Sequence, residues 1–312
     1  MMTKKMISII TPCFNEEANI NELYKRISLV INSLSQYDFE IIFIDNASTD
    51  KTVDLLKAIA KKDLRVKIIV NTRNFGQICS PYWGLLQTSG EASILIVSDL
   101  QEPPELIPTF LEEWEKGWCI VMAVKPASKT NVVMHLIRKV YYRMLDKISN
   151  VKLVSDTTGF GLYDRRVVNH LRKISDPYPY LRGLVCELGY SIKTVPFDQP
   201  RRLRGLSKNN FYSLFDYAML GIISHSLVPM RIATIIGFLV AGFSAVIAIY
   251  YTIMKLLYWD TFPIGVAPLV VGFFLMSGLL FIFIGLLGEY IGSIQTYVKN
   301  RPIVVEKERI NF

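Results

Sequence analysis

The chain has 312 residues, of which 51% are hydrophobic and 20% are charged, and its formal net charge is +8. A chain of this length forms one large or two ordinary domains. The positive excess is typical of contact with anionic lipid or phosphate, whereas the lack of a dense Lys/Arg run or recognition motif argues against a nucleic-acid partner. The composition is also uneven, because residues 1–210 are mixed and charged while residues 232–288 are almost free of charge.

The cysteines and the amino terminus indicate a domain that faces the cytosol. The cysteines are Cys13, Cys79, Cys119 and Cys186. They lie far apart in apolar surroundings without CxxC spacing, which predicts reduced core residues. The apolar run behind Lys4 and Lys5 is interrupted too soon for a signal peptide.

The first part of the chain alternates β-branched apolar runs with amphipathic stretches of helical spacing. The predicted strands are Met6–Thr11, Phe39–Ile44, Val66–Val70, Ile94–Val97 and Trp118–Val124. Strands that alternate with helices predict βα repeats and a mainly parallel sheet. Because crossovers in such sheets are right-handed, the polar turns after the first, second and fourth strands gather at one edge, where ligands bind in open α/β sheets.

The turn after the fourth strand carries the strongest chemical signal. Asp99 and Gln101 follow the buried run Ile94–Val97 and are two residues apart. A carboxylate and an amide at this spacing offer hard oxygens to Mg²⁺ or Mn²⁺, and the ion can hold a diphosphate. The alternative is a plain turn in which Asp99 caps a helix that starts at Pro103.

The middle of the chain is less regular. Asp156–Arg165 is a glycine-containing extended segment that leads into a helix, and its small residues either let backbone approach a ligand or form a tight turn. Tyr180–Gly189 predicts a short helix with a glycine cap, and Ser191–Phe197 predicts another strand.

The last third predicts contact with a membrane. A basic cluster, Gln199–Lys208, directly precedes an apolar helical stripe in residues 209–230. This order is typical of a helix in the membrane interface, and a helix packed on the soluble domain is the alternative. Uncharged runs at about 232–254 and 265–288 each reach the length of roughly 20 residues that a membrane helix needs. Arg and Lys on the outer flanks place both termini in the cytosol.

Together these features suit transfer of a sugar from a soluble nucleotide-sugar to a lipid phosphate. A metal would neutralise the leaving diphosphate, and the basic cluster would hold the acceptor phosphate. A phosphate monoester is largely dianionic near neutral pH, because its second pKa is about 6. Positioning therefore matters more than proton abstraction.

The chain resembles the family 2, GT-A-fold glycosyltransferases of the polyprenyl-phosphate type, including bactoprenol glucosyltransferases and dolichol-phosphate mannose synthases. The motifs that carry the resemblance are Thr11–Glu17, Asp45–Asp50, Asn74–Gln77, Asp99–Ile107 and Gly205–Lys208. The resemblance implies a multi-pass enzyme of the inner (cytoplasmic) membrane. It would use a UDP- or GDP-linked sugar and an undecaprenyl-phosphate-like acceptor, invert the anomeric centre, and feed cell-envelope glycan or lipid modification.

The resemblance also implies an organisation for the whole chain. The expected fold is α/β, with a Rossmann-like, mainly parallel GT-A domain on the cytosolic side. The expected parts are the GT-A domain (1–208), an interfacial amphipathic helix (209–230), two transmembrane helices (231–290) and a cytosolic C-terminal tail (291–312). Two spans and the stretch Gly285–Gly288 would permit a homo-oligomer.

Roles for individual residues follow from the matching motifs. Nucleotide-sugar binding falls to Pro12, Asn15, Glu16, Asp45, Asn74 and Gly76; metal binding to Asp99 and Gln101; and lipid-phosphate binding to Arg202, Ser207 and Lys208. Asp99 is also expected to be catalytic through the Mg²⁺ or Mn²⁺ ion.

The chain departs from the family pattern at three places. Val97 stands where the first aspartate of a D-x-D motif is usual, so the metal binds more weakly or leans on Gln101 and Glu102. Asn46 replaces the second acidic residue of the D-D-x-S-x-D turn. The segment Thr158–Leu162 lacks the acidic and the basic residue of the usual G-D-F-R-L segment. Asp156 is then the candidate base, with a structural role as the alternative.

Two other functions remain open at this stage. A processive polysaccharide synthase shares the sheet and the metal turn, but it normally has more spans and a Gln-x-x-Arg-Trp block that this sequence lacks. Val97 gives the best support to the other alternative, a non-catalytic, membrane-tethered nucleotide-sugar binder that has lost part of its metal site.

Overall fold

A computed structural model of the chain describes residues 4–125, 154, 157–200, 228–258, 266–299 and 301–312. The chain forms two compact units, one of residues 1–221 with 300–312 and one of residues 222–299. Several predicted features lie outside the described residues: Asp156, Arg202, Ser207, Lys208 and all of the interfacial helix 209–230 except its last three residues.

An eight-stranded mixed sheet organises the first unit. Its strands are β1 (Lys5–Cys13), β2 (Tyr37–Asp45), β3 (Val66–Asn71), β4 (Ala92–Leu95), β5 (Ile120–Val124), β6 (Thr157–Asp164), β7 (Ile192–Pro196) and β8 (Glu306–Ile310). They lie in the order β7-β5-β6-β4-β1-β2-β3-β8. The pairs β1–β2, β2–β3, β1–β4 and β5–β7 are parallel. Strand β6 is antiparallel to β4 and β5, and β8 is antiparallel to β3. The predicted mainly parallel α/β fold is confirmed.

Helices follow the strands as the apolar spacing predicted. They are α1 (Ile20–Ser33), α2 (Thr52–Ala60), α3 (Gly76–Leu86), α4 (Ile107–Glu115), α5 (Arg165–Leu171) and α6 (Leu181–Glu187). The buried residues of α1 are Ile20, Leu23, Ile27 and Ile31. Their spacing of three or four residues forms one stripe that packs on the sheet. Each fully buried isoleucine side chain contributes about 1.5–3 kcal/mol relative to exposure.

Two residues of strand β6, Phe160 and Gly161, pack closely against neighbouring elements. The Phe160 ring lies edge-on to Phe110 of α4, with centroids 5.0 Å apart, and edge-on to Phe197 at 5.7 Å. A Cβ on Gly161 would lie 2.3 Å from the carbonyl oxygen of Val121, so only glycine allows β5 and β6 to pair there. The missing basic residue of the family's G-D-F-R-L segment therefore coincides with a position where a side chain has no room.

The observed elements differ from the predicted ones at two places. Strand β4 ends at Leu95, two residues before its predicted end, and a 3₁₀ turn, Pro104–Leu106, precedes α4 where a helix from Pro103 was expected. Residues 291–312 were predicted as a cytosolic tail with a segment, Ile303–Val305, that docks on the catalytic domain. In the structure a long helix ends within this range at Val298, and strand β8 pairs with β3 of the sheet.

The second unit contains two long helices, α7 (Val228–Leu257) and α8 (Val266–Val298). By length and composition, Leu275–Val298 could cross a membrane, whereas the apolar stretch Ile232–Ile247 is shorter. Large apolar side chains are exposed on both helices, as lipid contact requires. Helices are therefore present where both spans were predicted, but the described residues supply one stretch of spanning length, and the second span stays a prediction.

Candidate active site

Three turns meet at the carboxyl edge of the sheet, after β1, β2 and β4. Each contains a non-glycine residue with a positive φ: Asn15 at 56°, Ala47 at 61° and Leu100 at 60°. Within the described part of the chain, Asn311 is the one further non-glycine residue of this kind. L-residues rarely adopt this conformation, and strained backbone clusters at functional sites. The edge where the sequence placed the ligand is thus the edge that carries this strain.

The turns after β1 and β2 are interlocked by hydrogen bonds. The backbone N–H of Asn15 donates to Ser48 Oγ at 2.8 Å, and its side-chain Oδ1 accepts from the Thr49 N–H at 2.8 Å. The N–H of Glu16 donates to Thr52 Oγ1 at 2.9 Å. Asn15 and Glu16 therefore lie at the predicted edge, and the Asn15 amide oxygen holds the neighbouring turn in place.

Asp45 ends β2, opposite Cys13 at the end of β1, and is fully buried. Its carboxylate accepts hydrogen bonds from the backbone N–H and the hydroxyl of Ser48, at 2.9 and 2.5 Å. Burial raises the pKa of Asp45, and the bonds from Ser48 offset part of that effect. Pro12 lies one residue before Cys13 and is partly exposed. Asp45 thus shapes its own turn, at the place where the nucleotide contact was predicted.

Asn46 joins this turn to the one after β3. Its Nδ2 donates to Asn74 Oδ1 at 2.8 Å and to the Gly76 carbonyl at 3.1 Å. Its Oδ1 accepts from Asn71 Nδ2 at 3.1 Å and from the Phe75 N–H at 2.9 Å. An aspartate could make only the two accepting contacts. The departure from the family's second acidic residue therefore has a structural reason that the sequence signalled but did not explain.

Asn74 and Gly76 lie in the exposed turn that Asn46 holds. Gly76 opens α3 with a φ of 84°, and its N–H donates to Asn74 Oδ1 at 2.7 Å. The guanidinium of Arg73 stacks 4.1 Å from the centroid of the Phe75 ring. The structure thus brings the predicted nucleotide-binding residues of three turns to one edge, and it adds an exposed cation that the sequence analysis did not single out.

In the turn that was predicted to bind the metal, Asp99 and Gln101 form an Asx turn. Asp99 Oδ1 accepts from the backbone N–H of Gln101 at 3.1 Å, and Gln101 Nε2 donates to the Pro200 carbonyl at 3.3 Å. No side chain caps the 3₁₀ turn that starts after Pro103, so the alternative in which Asp99 caps a helix there is wrong.

The donor chemistry of this turn fits a divalent ion that is completed by substrate. Asp99 supplies a partly exposed carboxylate, and Gln101 has an amide oxygen on the opposite branch from the Nε2 that bonds Pro200. Among the described residues, no three His, Cys, Asp or Glu side chains converge as a metal site. Mg²⁺ commonly takes one or two carboxylates together with substrate phosphates and water. Asp99 and Gln101 therefore suit an ion that arrives with a diphosphate.

Glu102 was expected to assist the metal, but its side chain turns inward. It is 3% exposed and accepts hydrogen bonds from the Val97 N–H at 2.8 Å and from Thr158 Oγ1 at 2.6 Å. Burial raises the pKa of Glu102 to about 7, against the effect of these bonds. Glu102 therefore ties the metal turn to β6 and does not replace the carboxylate missing at Val97.

The geometry can be compared with known proteins. The profile of the family described as Glycosyl transferase family 2 matches residues 8–172. The bactoprenol glucosyl transferase of Shigella phage SfII is 35% identical over 306 residues, which cover 97% of this chain and 97% of that protein. The uncharacterized glycosyltransferase YkcC of Bacillus subtilis (strain 168) is 31% identical over 299 residues, covering 96% and 92%.

One of the solved structures similar to this chain is a mannosyltransferase. The mannosyltransferase PcManGT from Pyrobaculum calidifontis, in complex with GDP-Man and Mn²⁺, is 14% identical. Its match covers 96% of this chain and 88% of that chain, with a TM-score of 0.49. The sequence matches, rather than this likeness, carry the family assignment.

Proposed function

Because the chain belongs to glycosyl transferase family 2, we propose that this glycosyltransferase moves a sugar from a nucleotide-sugar to a polyprenyl phosphate at the cytosolic face of the inner membrane. The observation that carries the proposal is the similarity along the whole chain to a bactoprenol glucosyl transferase, 35% over 306 residues. That match extends beyond the family profile, which ends at residue 172, and so includes the apolar helices and β8. The similarity therefore supports a shared acceptor as well as a shared catalytic domain.

The donor nucleotide would occupy the carboxyl edge of the sheet. The turns that carry Asn15, Asp45 and Asn74 meet there, and the turn at Asn74 and Gly76 is exposed to solvent. Backbone N–H groups and carboxylates at such an edge suit the ribose, base and diphosphate of a nucleotide. The sugar and the base, UDP- or GDP-linked, would be chosen by contacts at this edge.

The acceptor phosphate would be held by the basic cluster. Arg202, Ser207 and Lys208 offer two cations and a hydroxyl directly before the predicted interfacial helix. Arg and Lys side chains bind phosphate oxygens strongly, and a cluster next to apolar helices suits a phosphate on a lipid anchor. These assignments are predictions from the sequence.

The reaction would proceed by direct displacement with inversion. An oxygen of the lipid phosphate would form a bond to the anomeric carbon while the bond from that carbon to the nucleotide diphosphate breaks. The phosphate is largely dianionic at neutral pH, so it need not lose a proton first. Asp156 is the candidate base if a proton must move. Asp99 and Gln101 would hold Mg²⁺ or Mn²⁺, which supplies charge neutralisation on the leaving diphosphate when bound.

The full-length protein, purified in detergent, tests this proposal. It is incubated with a panel of UDP- and GDP-sugars, Mg²⁺ or Mn²⁺ and undecaprenyl phosphate, and both the glycolipid and the released nucleotide are measured. We expect one donor to give a lipid carrying one sugar, with nucleotide release that depends on the lipid. A growing polymer would instead identify a processive synthase. Donor binding without turnover on any lipid would identify a nucleotide-sugar binder.

A further inference from the structure

Strand β8 and the residue directly before it contact the turn at the candidate donor site and the helix that follows this turn. At the first residue of the turn, the carbonyl of Val305, directly before β8, accepts from the backbone N–H of Thr72 at 3.0 Å and from its hydroxyl at 3.1 Å. The pairing of β8 with β3 also shifts register between Val70 and Asn71, next to this contact. Bulges of this kind redirect a strand and are frequent beside active sites.

After the turn, β8 holds the helix that the turn enters. Trp83 of α3 donates its indole N–H to Glu306 Oε1 at 2.5 Å. Arg309 donates to Gln87, at the end of α3, at 2.7 Å, and it also pairs with Glu306. Although burial raises the pKa of Glu306, its hydrogen bonds with Arg309 and Trp83 outweigh burial and lower it. A charged acceptor makes the bond from Trp83 stronger than a bond between neutral groups.

The turn that Val305 contacts is also the one that Asn46 holds. Residues 72–75 connect β3 to α3, and Asn46 bonds Asn74 and Phe75. The turn is therefore contacted both by the turn after β2 and by the segment at the start of β8. This segment does more than cover the edge of β3, because Val305 contacts the first residue of the turn and Glu306 of β8 contacts the helix that follows the turn.

We propose that β8, together with Val305 directly before it, positions the donor-site turn, with Val305 and Glu306 as the contacts that set the geometry of residues 72–76 for nucleotide binding. This inference rests on the proposed function for the identity of the ligand. In the sequence, β8 is the first strand after α8, so the segment that follows the apolar helix completes the donor site. The residues involved act through the turn, and none of them is assigned a contact with substrate.

Two conservative changes in the full-length protein test the proposal. Thr72→Val removes the hydroxyl donor to Val305, and Trp83→Phe removes the indole donor to Glu306. The matched control is Lys57→Ala, which breaks the exposed ion pair of Lys57 with Glu308 on the same strand. Amide hydrogen exchange of residues 72–76 reports the geometry of the turn. Calorimetric titration with UDP and with GDP reports nucleotide binding.

The double variant should exchange these amides faster and bind the parent's preferred nucleotide about five- to tenfold more weakly, since two hydrogen bonds are lost. The control should match the parent in both measurements. The exposed Thr72→Val change alone, which carries little risk of unfolding, should act in the same direction to a smaller extent.

Unchanged exchange in the double variant would overturn the positioning role. Faster exchange with unchanged nucleotide affinity would overturn the link between β8 and donor binding. If the parent binds neither UDP nor GDP, the proposed function fails, and the exchange result still decides whether β8 holds the turn.

Discussion

Two buried glutamates, one near each end of the parallel strands, have pKa values shifted in opposite directions. Glu40 lies at the amino edge, where the parallel strands begin, and Glu102 lies at the carboxyl edge, where they end; both are 3% exposed. Glu40 contacts the ammonium of Lys67 at 2.6 Å and accepts further bonds from Ser8 and Ser89. Burial raises the pKa of Glu40, but these bonds outweigh it, and the pKa lies below its ordinary value.

Glu102 has weaker compensation for the same burial. Its two hydrogen bonds come from a neutral N–H and a hydroxyl, and the charge of Lys125 lowers its pKa less than burial raises it. At the amino edge the buried charge of Glu40 therefore stabilises the fold, because the contact with Lys67 and the hydrogen bonds offset the free-energy cost of removing the carboxylate from water. The carboxyl edge combines strained turns with a carboxyl group of raised pKa, a combination typical of functional sites.

The largest expected effect at the carboxyl edge is on catalysis. Asp99→Asn removes the carboxylate that would hold the metal, so kcat should fall by at least about 100-fold. The melting temperature should stay within about 2 °C of the parent, because Asp99 is partly exposed. Lipid-dependent nucleotide release and a thermal melt measure the two quantities.

Asp38→Asn is the matched control for this change, because Asp38 is an exposed carboxylate at the amino edge. It should leave both kcat and melting temperature unchanged. If Asp99→Asn retains most of the activity and its dependence on Mg²⁺, residues other than Asp99 hold the ion.

The second largest effect should appear at the amino edge and in stability. Glu40→Ala leaves Lys67, Ser8 and Ser89 without their shared acceptor, which should cost about 2–3 kcal/mol after allowance for the partial exposure of Lys67. The catalytic unit should then melt about 5–10 °C lower. Titration with nucleotide below the melting range should give the parent's Kd.

Glu115→Ala controls for loss of an ion pair as such, since Glu115 pairs with Lys5 at the surface. It should shift the melting temperature far less. A Glu40→Ala variant that melts with the parent but binds nucleotide weakly would reverse the division of roles between the edges.

The sheet could be predicted from the sequence because its central strands are long, β-branched and buried on both faces. The predicted run Phe39–Ile44, for example, lies within β2. Strand β8 could not, because Glu306–Ile310 is a charged sequence without alternation, and its strand conformation depends on pairing with β3 across most of the chain. The hydrophobic periodicity of a segment indicates which of its residues are buried. It does not indicate an edge strand that forms only because a strand distant in sequence pairs with it.

The same limit applies at the candidate site. The order of strands and helices along the sequence was enough to predict that Asp45 and Asp99 lie at the same edge of the sheet. The direction of Glu102 was not predictable, because it follows Leu100, whose positive φ turns the chain. The role of Asn46 needed the position of the next turn, although its departure from the family pattern marked it.

A third prediction concerns how Asn46 supports the carboxyl edge. Asn46→Asp removes both donors to Asn74 and Gly76 and places a carboxylate oxygen against theirs, which should cost about 1–2 kcal/mol. Binding of UDP or GDP should weaken about tenfold, because the donor-site turn loses these two hydrogen bonds. Asn169→Asp makes the same chemical change at an exposed position of α5 and should alter neither quantity. Wild-type nucleotide affinity in Asn46→Asp would show that the turn is held without the amide.

The smallest expected effect is a pH dependence that belongs to the amino edge. The pKa of Glu40 is below its ordinary value of 4.5 in the folded chain, so unfolding takes up a proton as the pH falls below that value. The stability that this carboxylate contributes is therefore present above about pH 4.5 and is lost as the pH falls through the lowered pKa. Glu40→Gln cannot titrate and should lack this part of the acid sensitivity. Melting temperatures of parent and variant between about pH 7 and pH 3.5 should converge toward the acid end. Parallel pH curves would mean that Lys67 does not hold the Glu40 charge, and the contrast between the two buried glutamates would then rest on Glu102 alone.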